Sequence, residues 1–291
     1  METEIKIYFP DNESSVAELK EMLAPWGKYI ITNKKSEDID FVICWGVSQM
    51  DLAVRALHGR AKLIMYQWDC YEWVWTSPRV GEYDYIKYGE LLKRSVEYWC
   101  PSESTLLRTK EWGEKHWGHP MNHGVVIKTY IPYYDVPTSD GGYVLNALRR
   151  IPDRNLGLFE QACTELGIPY KSPDHGLPME QFKNLVANCS FICVPYYENS
   201  TGGLSLLEAY YLGKPALISN SPYQSAQEYL PPERRTTFQW DDYNDLKTKL
   251  KSMWENRPFV AADHKQWVID NYSKTVMGKQ IHERLQSLYS K

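Results

Sequence analysis

The sequence predicts an α/β chain made of two parallel-sheet domains. Short apolar segments of strand length alternate with longer amphipathic ones through both halves. That pattern sets parallel strands side by side with helices crossing over them. A stretch with few periodic apolar positions, Ile131 to Gly142, separates the halves; it holds Pro132, Pro137 and the pair Gly141-Gly142 and reads as a linker. At 291 residues the chain gives each half enough length for its own core.

In the first half, Ile5 to Phe9 reads as a strand, and Ser14-Ser15 as the cap of a helix over Val16 to Leu23. Tyr29 to Thr32, Phe41 to Trp45 and Leu63 to Tyr66 are further strands, with a helix over Met50 to Leu57 between the last two. From Gln67 to Tyr88 the chain becomes aromatic and irregular, starting where a strand reaches its carboxyl end. Ligands of open parallel sheets bind at such ends. Aromatic faces beside Asp69 and Glu72 suit stacking on a sugar or a base, and packing of a long loop accounts for most of the rings. A helix continues through Leu91 to Arg94, Tyr98 to Pro101 is a strand, Ser102 to Trp112 a capped helix, and Val125 to Thr129 the closing strand.

The second half runs through a strand at Tyr143 to Asn146, a helix through Leu166, a strand near Pro169 to Lys171 and a helix over Met179 to Ala187. After it come a strand before Pro195, a helix after Gly203, a strand at Ala216 to Ser219, and a helix over Tyr243 to Trp254. Two helices, about Ala261 to Tyr272 and Lys274 to Tyr289, end the chain.

Composition narrows the function. With 43% hydrophobic and 24% charged residues the chain reads as globular, and a net charge of -4 supplies no general field for nucleic acid or acidic membrane. The six cysteines are scattered, without CxxC spacing, and read as reduced core thiols of a cytoplasmic protein. No signal peptide is expected, and no apolar run reaches the ~20 residues of a membrane span. His116, His119 and His123 lack acidic or Cys ligands beside them in sequence, and Pro120 interrupts their segment, so no metal is expected there.

Chemistry concentrates between Phe191 and Pro215. An apolar run ends at Pro195, a polar loop carries Glu198, Ser200, Thr201, Gly202 and Gly203, and apolar residues recur at Leu204, Leu207 and Tyr211, which reads as strand, loop, helix. The two glycines permit a tight turn and close approach of a ligand, and a helix starting near Leu204 aims backbone N–H groups into that space. Glu198 and Glu208 then offer carboxylates, natural partners of sugar hydroxyls.

These residues resemble glycosyltransferase family 4, the retaining transferases of the GT-B architecture. Leu148-Arg149-Arg150-Ile151-Pro152-Asp153-Arg154-Asn155 falls in register with the family's Gly-Arg, Pro and Lys-Gly segment, with Arg149 for the Arg and Arg154 for the Lys. Gly203-Leu204-Ser205-Leu206-Leu207-Glu208-Ala209 followed by Gly213-Lys214-Pro215 is similar to its Gly-Leu-Pro, Glu-Ala and Gly-Lys-Pro pattern. Between them, His175-Gly176 occupies the place where the family's nucleotide base packs on backbone. The likeness covers about residues 143 to 250.

The resemblance implies two Rossmann-like domains facing across a cleft. Residues 1 to 132 would bind the acceptor, 141 to 260 the donor, and the helices of 261 to 291 would pack back on the first domain. It implies a nucleotide diphosphate sugar, UDP- or GDP-linked, as co-substrate, with no separate cofactor. Arg149 and Arg154 with the amides of Gly202 to Leu204 would stabilise the departing diphosphate without a metal. Glu208 would accept the ribose hydroxyls.

The chain also departs from the family. Ser200 stands where the family has its first Glu, so either Glu198 or Ser200 with Thr201 would hold the donor sugar. The family's Gly-Gly loop after the first strand is replaced by Pro10-Asp11-Asn12-Glu13-Ser14-Ser15. Where the family often has a His after the fourth strand, the chain has Gln67-Trp68-Asp69, which gives Asp69 a polar role near the anomeric carbon. Trp68, Tyr71 and Trp73 are the acceptor-side candidates. The acceptor stays open between a glycan, a small aglycone and a hydroxylated base in nucleic acid. A nucleotide- or glycan-binding protein that has lost catalysis and a sugar-nucleotide epimerase are the competing functions.

Overall fold

The computed structural model describes residues 4–36, 38–68, 85–147, 156–173, 177–195, 203–221, 226–257 and 260–291. The chain divides into two compact units, Met1–Tyr130 with Tyr272–Lys291, and Ile131–Asn271.

The first unit carries strands β1 (Glu4–Tyr8), β2 (Lys28–Thr32), β3 (Phe41–Cys44), β4 (Lys62–Tyr66), β5 (Glu97–Cys100) and β6 (Gly124–Val126), in the order β2-β1-β3-β4-β5-β6 and all parallel. Its helices are α1 (Glu13–Leu23), α2 (Met50–Ala56), α3 (Tyr85–Arg94), α4 (Glu103–Trp117) and, from the end of the chain, α11 (Lys274–Tyr289). Alternation along the strands divides the core in two. Val42, Cys44, Leu63 and Met65 face one cluster, with Tyr88 and Leu92 of α3. Phe41, Ile43, Ile64 and Tyr66 face the other, with Leu19 and Met22 of α1 and Met277, Ile281 and Leu285 of α11. Both sheet faces are covered, as a parallel sheet requires.

Helix ends explain where the observed elements depart from the expected ones. Asn12, in extended conformation, caps α1 by accepting from the Ser15 N–H at 3.0 Å, so Ser14 and Ser15 belong to the first turn rather than the cap. Ser102 caps α4 as expected, but the helix runs past Trp112 to Trp117 and stops only at Gly118, whose φ of 61° is the left-handed conformation that ends helices. Strand β6 stops at Val126, short of Thr129.

Helix α11 is locked onto the sheet. The half-exposed Arg284 guanidinium pairs with the buried Glu97 of β5, and the Trp99 indole N–H donates to the same carboxylate at 2.7 Å. Gly278 lets α11 approach α1 closely, since a Cβ there would stand 2.1 Å from the Met22 carbonyl oxygen.

The second unit carries β7 (Val144–Leu145), β8 (Tyr170–Lys171), β9 (Phe191–Val194), β10 (Ala216–Ser219) and β11 (Thr236–Phe238) in the order β11-β10-β9-β7-β8, again parallel. Around it lie α5 (Leu156–Leu166), α6 (Met179–Asn188), α7 (Leu204–Tyr211), the short α8 (Ala226–Tyr229), α9 (Tyr243–Asn256) and α10 (His264–Tyr272). Phe159 and Cys163 of α5, with Leu246 and Leu250 of α9, pack on Val144, Phe191, Cys193 and Leu217. Strand β11 and helix α8 have no counterpart among the expected elements, because Thr236-Thr237-Phe238 is too short and too polar to show a strand period.

The expected linker is tied down at its carboxyl end. The Ser139 and Gly141 N–H groups donate to the carbonyls of Ala187 and Asn188, Asp140 accepts from Ser190 and pairs with Arg257, and the buried Lys214 donates to the Ser139 carbonyl at 2.7 Å. Lys214 of the Gly-Lys-Pro segment is thus spent on fixing this segment to the second unit.

Candidate active site

The chain order in the second sheet reverses between β7 and β9, which are hydrogen-bonded neighbours: β8 lies on one side of the pair, β10 and β11 on the other. The connections leaving the carboxyl ends of such a pair diverge, and the crevice between them is where open α/β sheets bind ligands. The segments singled out in the sequence leave from this edge. Residues 148–155 follow β7, 174–176 follow β8, and 196–202 follow β9. Arg149, Arg154, His175, Gly176, Glu198, Ser200, Thr201 and Gly202 lie outside the described residues, and so do Asp69, Tyr71 and Trp73 of the first unit.

Gly203, Leu204 and Glu208 are described. Gly203 is the N-cap of α7 with φ 121° and ψ 18°, a conformation open to glycine and strained for any residue with a Cβ. Among the described residues no side chain caps α7. The helix therefore presents first-turn N–H groups and the positive end of its dipole just beyond the carboxyl end of β9. Such an end accepts an anion.

Glu208 sits one turn further, on a helix whose residues 206 to 211 are all buried. Only 9% of it is exposed. The Tyr134 hydroxyl donates to its Oε2 at 3.5 Å, a long bond, and the Lys183 ammonium lies 5.0 Å over the Tyr134 ring while pairing with Glu180 at 2.8 Å. Burial pushes the Glu208 carboxyl up to about 7; the Tyr134 hydrogen bond and the Lys183 charge oppose the shift without cancelling it. Among the described residues the side chain is a desolvated acceptor with one weak hydrogen-bond partner. Hydroxyl groups would satisfy its remaining lone pairs.

Nothing in the sequence singles out Tyr134 and Lys183 as neighbours of Glu208. Tyr134 falls in a segment that reads as linker, and Lys183 looks like any solvated lysine on a helix face. The hydrogen bond of Tyr134 to Glu208, and the Lys183 charge beside it, arise only from the fold.

Two histidines of the first unit, His116 and His123, make packing contacts. His116 stacks on Trp112 with ring centroids 4.2 Å apart, and His123 Nε2 is 2.9 Å from the Leu92 carbonyl oxygen. Trp68, just past β4, is half-buried, and its indole N–H donates to the Trp45 carbonyl at 3.0 Å.

No protein-family model matches the chain, and no curated protein matches it. Solved structures do share its fold. TarM of S. aureus superposes with a TM-score of 0.65 at 12% identity, over 89% of this chain and 56% of TarM. A sucrose-phosphate synthase from Thermosynechococcus elongatus superposes at 0.66 and 11% identity, over 87% of this chain and 74% of the synthase. HepE of Anabaena, solved with UDP-glucose, does so at 0.66 and 12% identity, over 97% of this chain and 100% of HepE. At such identities the likeness shows the fold, that of the GT-B glycosyltransferases, with two parallel-sheet α/β domains. The chain spans little more than half of TarM.

Proposed function

We propose that the chain is a glycosyltransferase that moves a sugar from a nucleotide-sugar donor to a hydroxyl acceptor, with retention of configuration and without a metal. The observation that carries the reading is the start of α7. A helix N-terminus formed at Gly203, with no side-chain cap among the described residues, and a buried Glu208 that has one long hydrogen bond among them, follow a strand at the reversal point of the second sheet. That is the equipment for a diphosphate and a ribose.

In this reading the second unit binds the donor and the first the acceptor. Arg149 and Arg154 neutralise the charge that grows on the departing diphosphate, with forked donors matched to phosphate oxygens, and the α7 amides add fixed dipoles. Glu208 accepts the ribose hydroxyls. Glu198, or Ser200 with Thr201, holds the sugar, Asp69 is the polar group near the anomeric carbon, and His175-Gly176 meets the base. Retention rests on the resemblance to family 4. UDP-glucose, bound in HepE, and UDP, bound in TarM, make a UDP-sugar the first donor to try. No cofactor beyond this co-substrate is required.

A binding protein that has lost catalysis is the second reading. It is favoured by Ser200 in place of a carboxylate and by the first helix, α1, whose N-terminus is already occupied by the Asn12 cap. Release of nucleoside diphosphate from a panel of nucleotide sugars separates the two. Turnover by the wild-type chain that is lost in Arg154→Ala and Glu208→Ala, both folded by circular dichroism, supports the transferase. Binding without release sinks it, and near wild-type turnover in either variant sinks the site.

A further inference from the structure

Four aromatic rings close the carboxyl edge of the first sheet. Phe9 follows β1, Trp45 follows β3, Tyr66 ends β4 and Trp68 comes two residues later. They form one array. Trp45 stacks on the buried Tyr66 at 4.4 Å, Trp68 leans on Tyr66 at 4.6 Å, and Phe9 and Trp68 each meet Trp45 edge-on at 5.6 Å. Gly46, at φ 144°, turns the chain away directly after Trp45, and Trp68 lies against it. Phe9 and Tyr66 are buried, whereas Trp45 and Trp68 are only half-buried, so the array rests on the core and presents its two indoles outward.

The place is where a ligand of this sheet belongs. The strand order reverses at β1, between β2 and β3, and the array spans the carboxyl ends of β1, β3 and β4. The character of the edge restricts the ligand. Among the described residues that follow these strands, Phe9 to Asn12, Trp45 to Ser48 and Gln67 to Trp68, there is no Lys or Arg. Asn12 already takes an N–H of the first turn of α1, and Pro10 has none to give. Among these described residues a phosphate or sulfate would find no cation, and the end of α1 is already capped.

An uncharged ring with polarised C–H groups would find two indole faces, whose negative quadrupole attracts them. Gln67, between Tyr66 and Trp68 in sequence, turns to the other face of the sheet, where it is fully buried and its Oε1 accepts from the Tyr88 hydroxyl at 2.5 Å, so it takes no part in the platform.

From this we infer that Trp45 and Trp68 form the platform on which a neutral glycan acceptor stacks. The inference rests on the transferase reading and adds to it a substrate class and a residue, Trp45, that the sequence did not single out. With no Lys or Arg among the described residues that follow β1, β3 and β4, the platform favours a neutral acceptor over one recognised through phosphate or sulfate.

Saturation-transfer NMR on the full chain tests it, with cellobiose, maltose and diacetylchitobiose as neutral probes and glucose 6-phosphate as the anionic one. Irradiation of the aromatic protons is expected to reach the pyranose C–H protons of at least one neutral disaccharide. The effect should fall about five-fold in Trp68→Ala and recover substantially in Trp68→Phe, which keeps a ring. Transfer to glucose 6-phosphate alone, transfer to no neutral disaccharide, or equal transfer in wild type and Trp68→Ala overturns the platform. Thermal shifts of the wild-type chain with UDP and GDP, run alongside, report the donor reading separately. Nucleotide stabilisation without sugar transfer removes the platform alone, and sugar transfer without nucleotide stabilisation removes the transferase reading and leaves the platform a glycan site.

Discussion

At the scale of single residues, Glu208 has the most measurable consequence. Its carboxyl titrates near 7 in the folded chain and near 4.5 when unfolded. Between those values the folded state binds the proton more tightly, so this group's contribution to stability is fully present at low pH and is lost as pH rises through 7. The whole effect is about 3 kcal/mol, from about 1.4 kcal/mol per pKa unit. Glu208→Gln removes it. The melting temperature of the variant should match that of wild type near pH 5 and exceed it by several degrees at pH 8, measured by differential scanning calorimetry. Binding should move in the opposite sense. Nucleotide affinity of wild type should rise from pH 6 to 8 as the carboxylate forms, and that of Glu208→Gln should stay flat. A pH-independent wild type would show that hydroxyls do not meet this side chain.

At the scale of elements, two glycines perform different work and should fail differently. Gly203 sets the direction in which α7 begins, at a φ that a Cβ strains by about 1–3 kcal/mol. Gly203→Ala should weaken nucleotide binding by more than its modest loss of stability explains, because the first-turn N–H groups are re-aimed. Gly278 lets α11 lie on α1. Gly278→Ala drives a methyl into the Met22 carbonyl and should cost about 3 kcal/mol without touching nucleotide affinity. Denaturant titration paired with nucleotide titration checks both. An unchanged affinity in Gly203→Ala would remove the helix start from the site.

Across the whole molecule, cysteine protection measures whether both cores form as described. Cys44, Cys100, Cys163, Cys189 and Cys193 are buried and free, and burial pushes the thiols of Cys44, Cys163 and Cys189 up to about 12. Thiols so protonated and so covered do not react. Maleimide should label the native chain at no more than Cys70, outside the described residues, and all six positions after unfolding. Rapid native labelling of any of the five would contradict the packing. Among the described residues no helix is long and apolar enough to cross a membrane.

Most of the fold was legible in the chain itself. Both sheets, their parallel strands and nearly all of the helices follow from apolar periodicity, since a strand buried on both faces must be apolar throughout and a helix covering it must carry an apolar stripe. Helix α7 and its glycine start were legible for the same reason. What the sequence alone could not decide is contact. That Tyr134 reaches Glu208, that Asn12 rather than Ser14 caps α1, and that Trp45 and Trp68 share one array depend on pairings between residues far apart or on a turn's local geometry. No periodicity encodes these. Local spacing determines which face a residue takes. Only the packing of one element on another determines what that face meets, because burial and partner, not residue type, set how a carboxyl titrates and what an indole can stack upon.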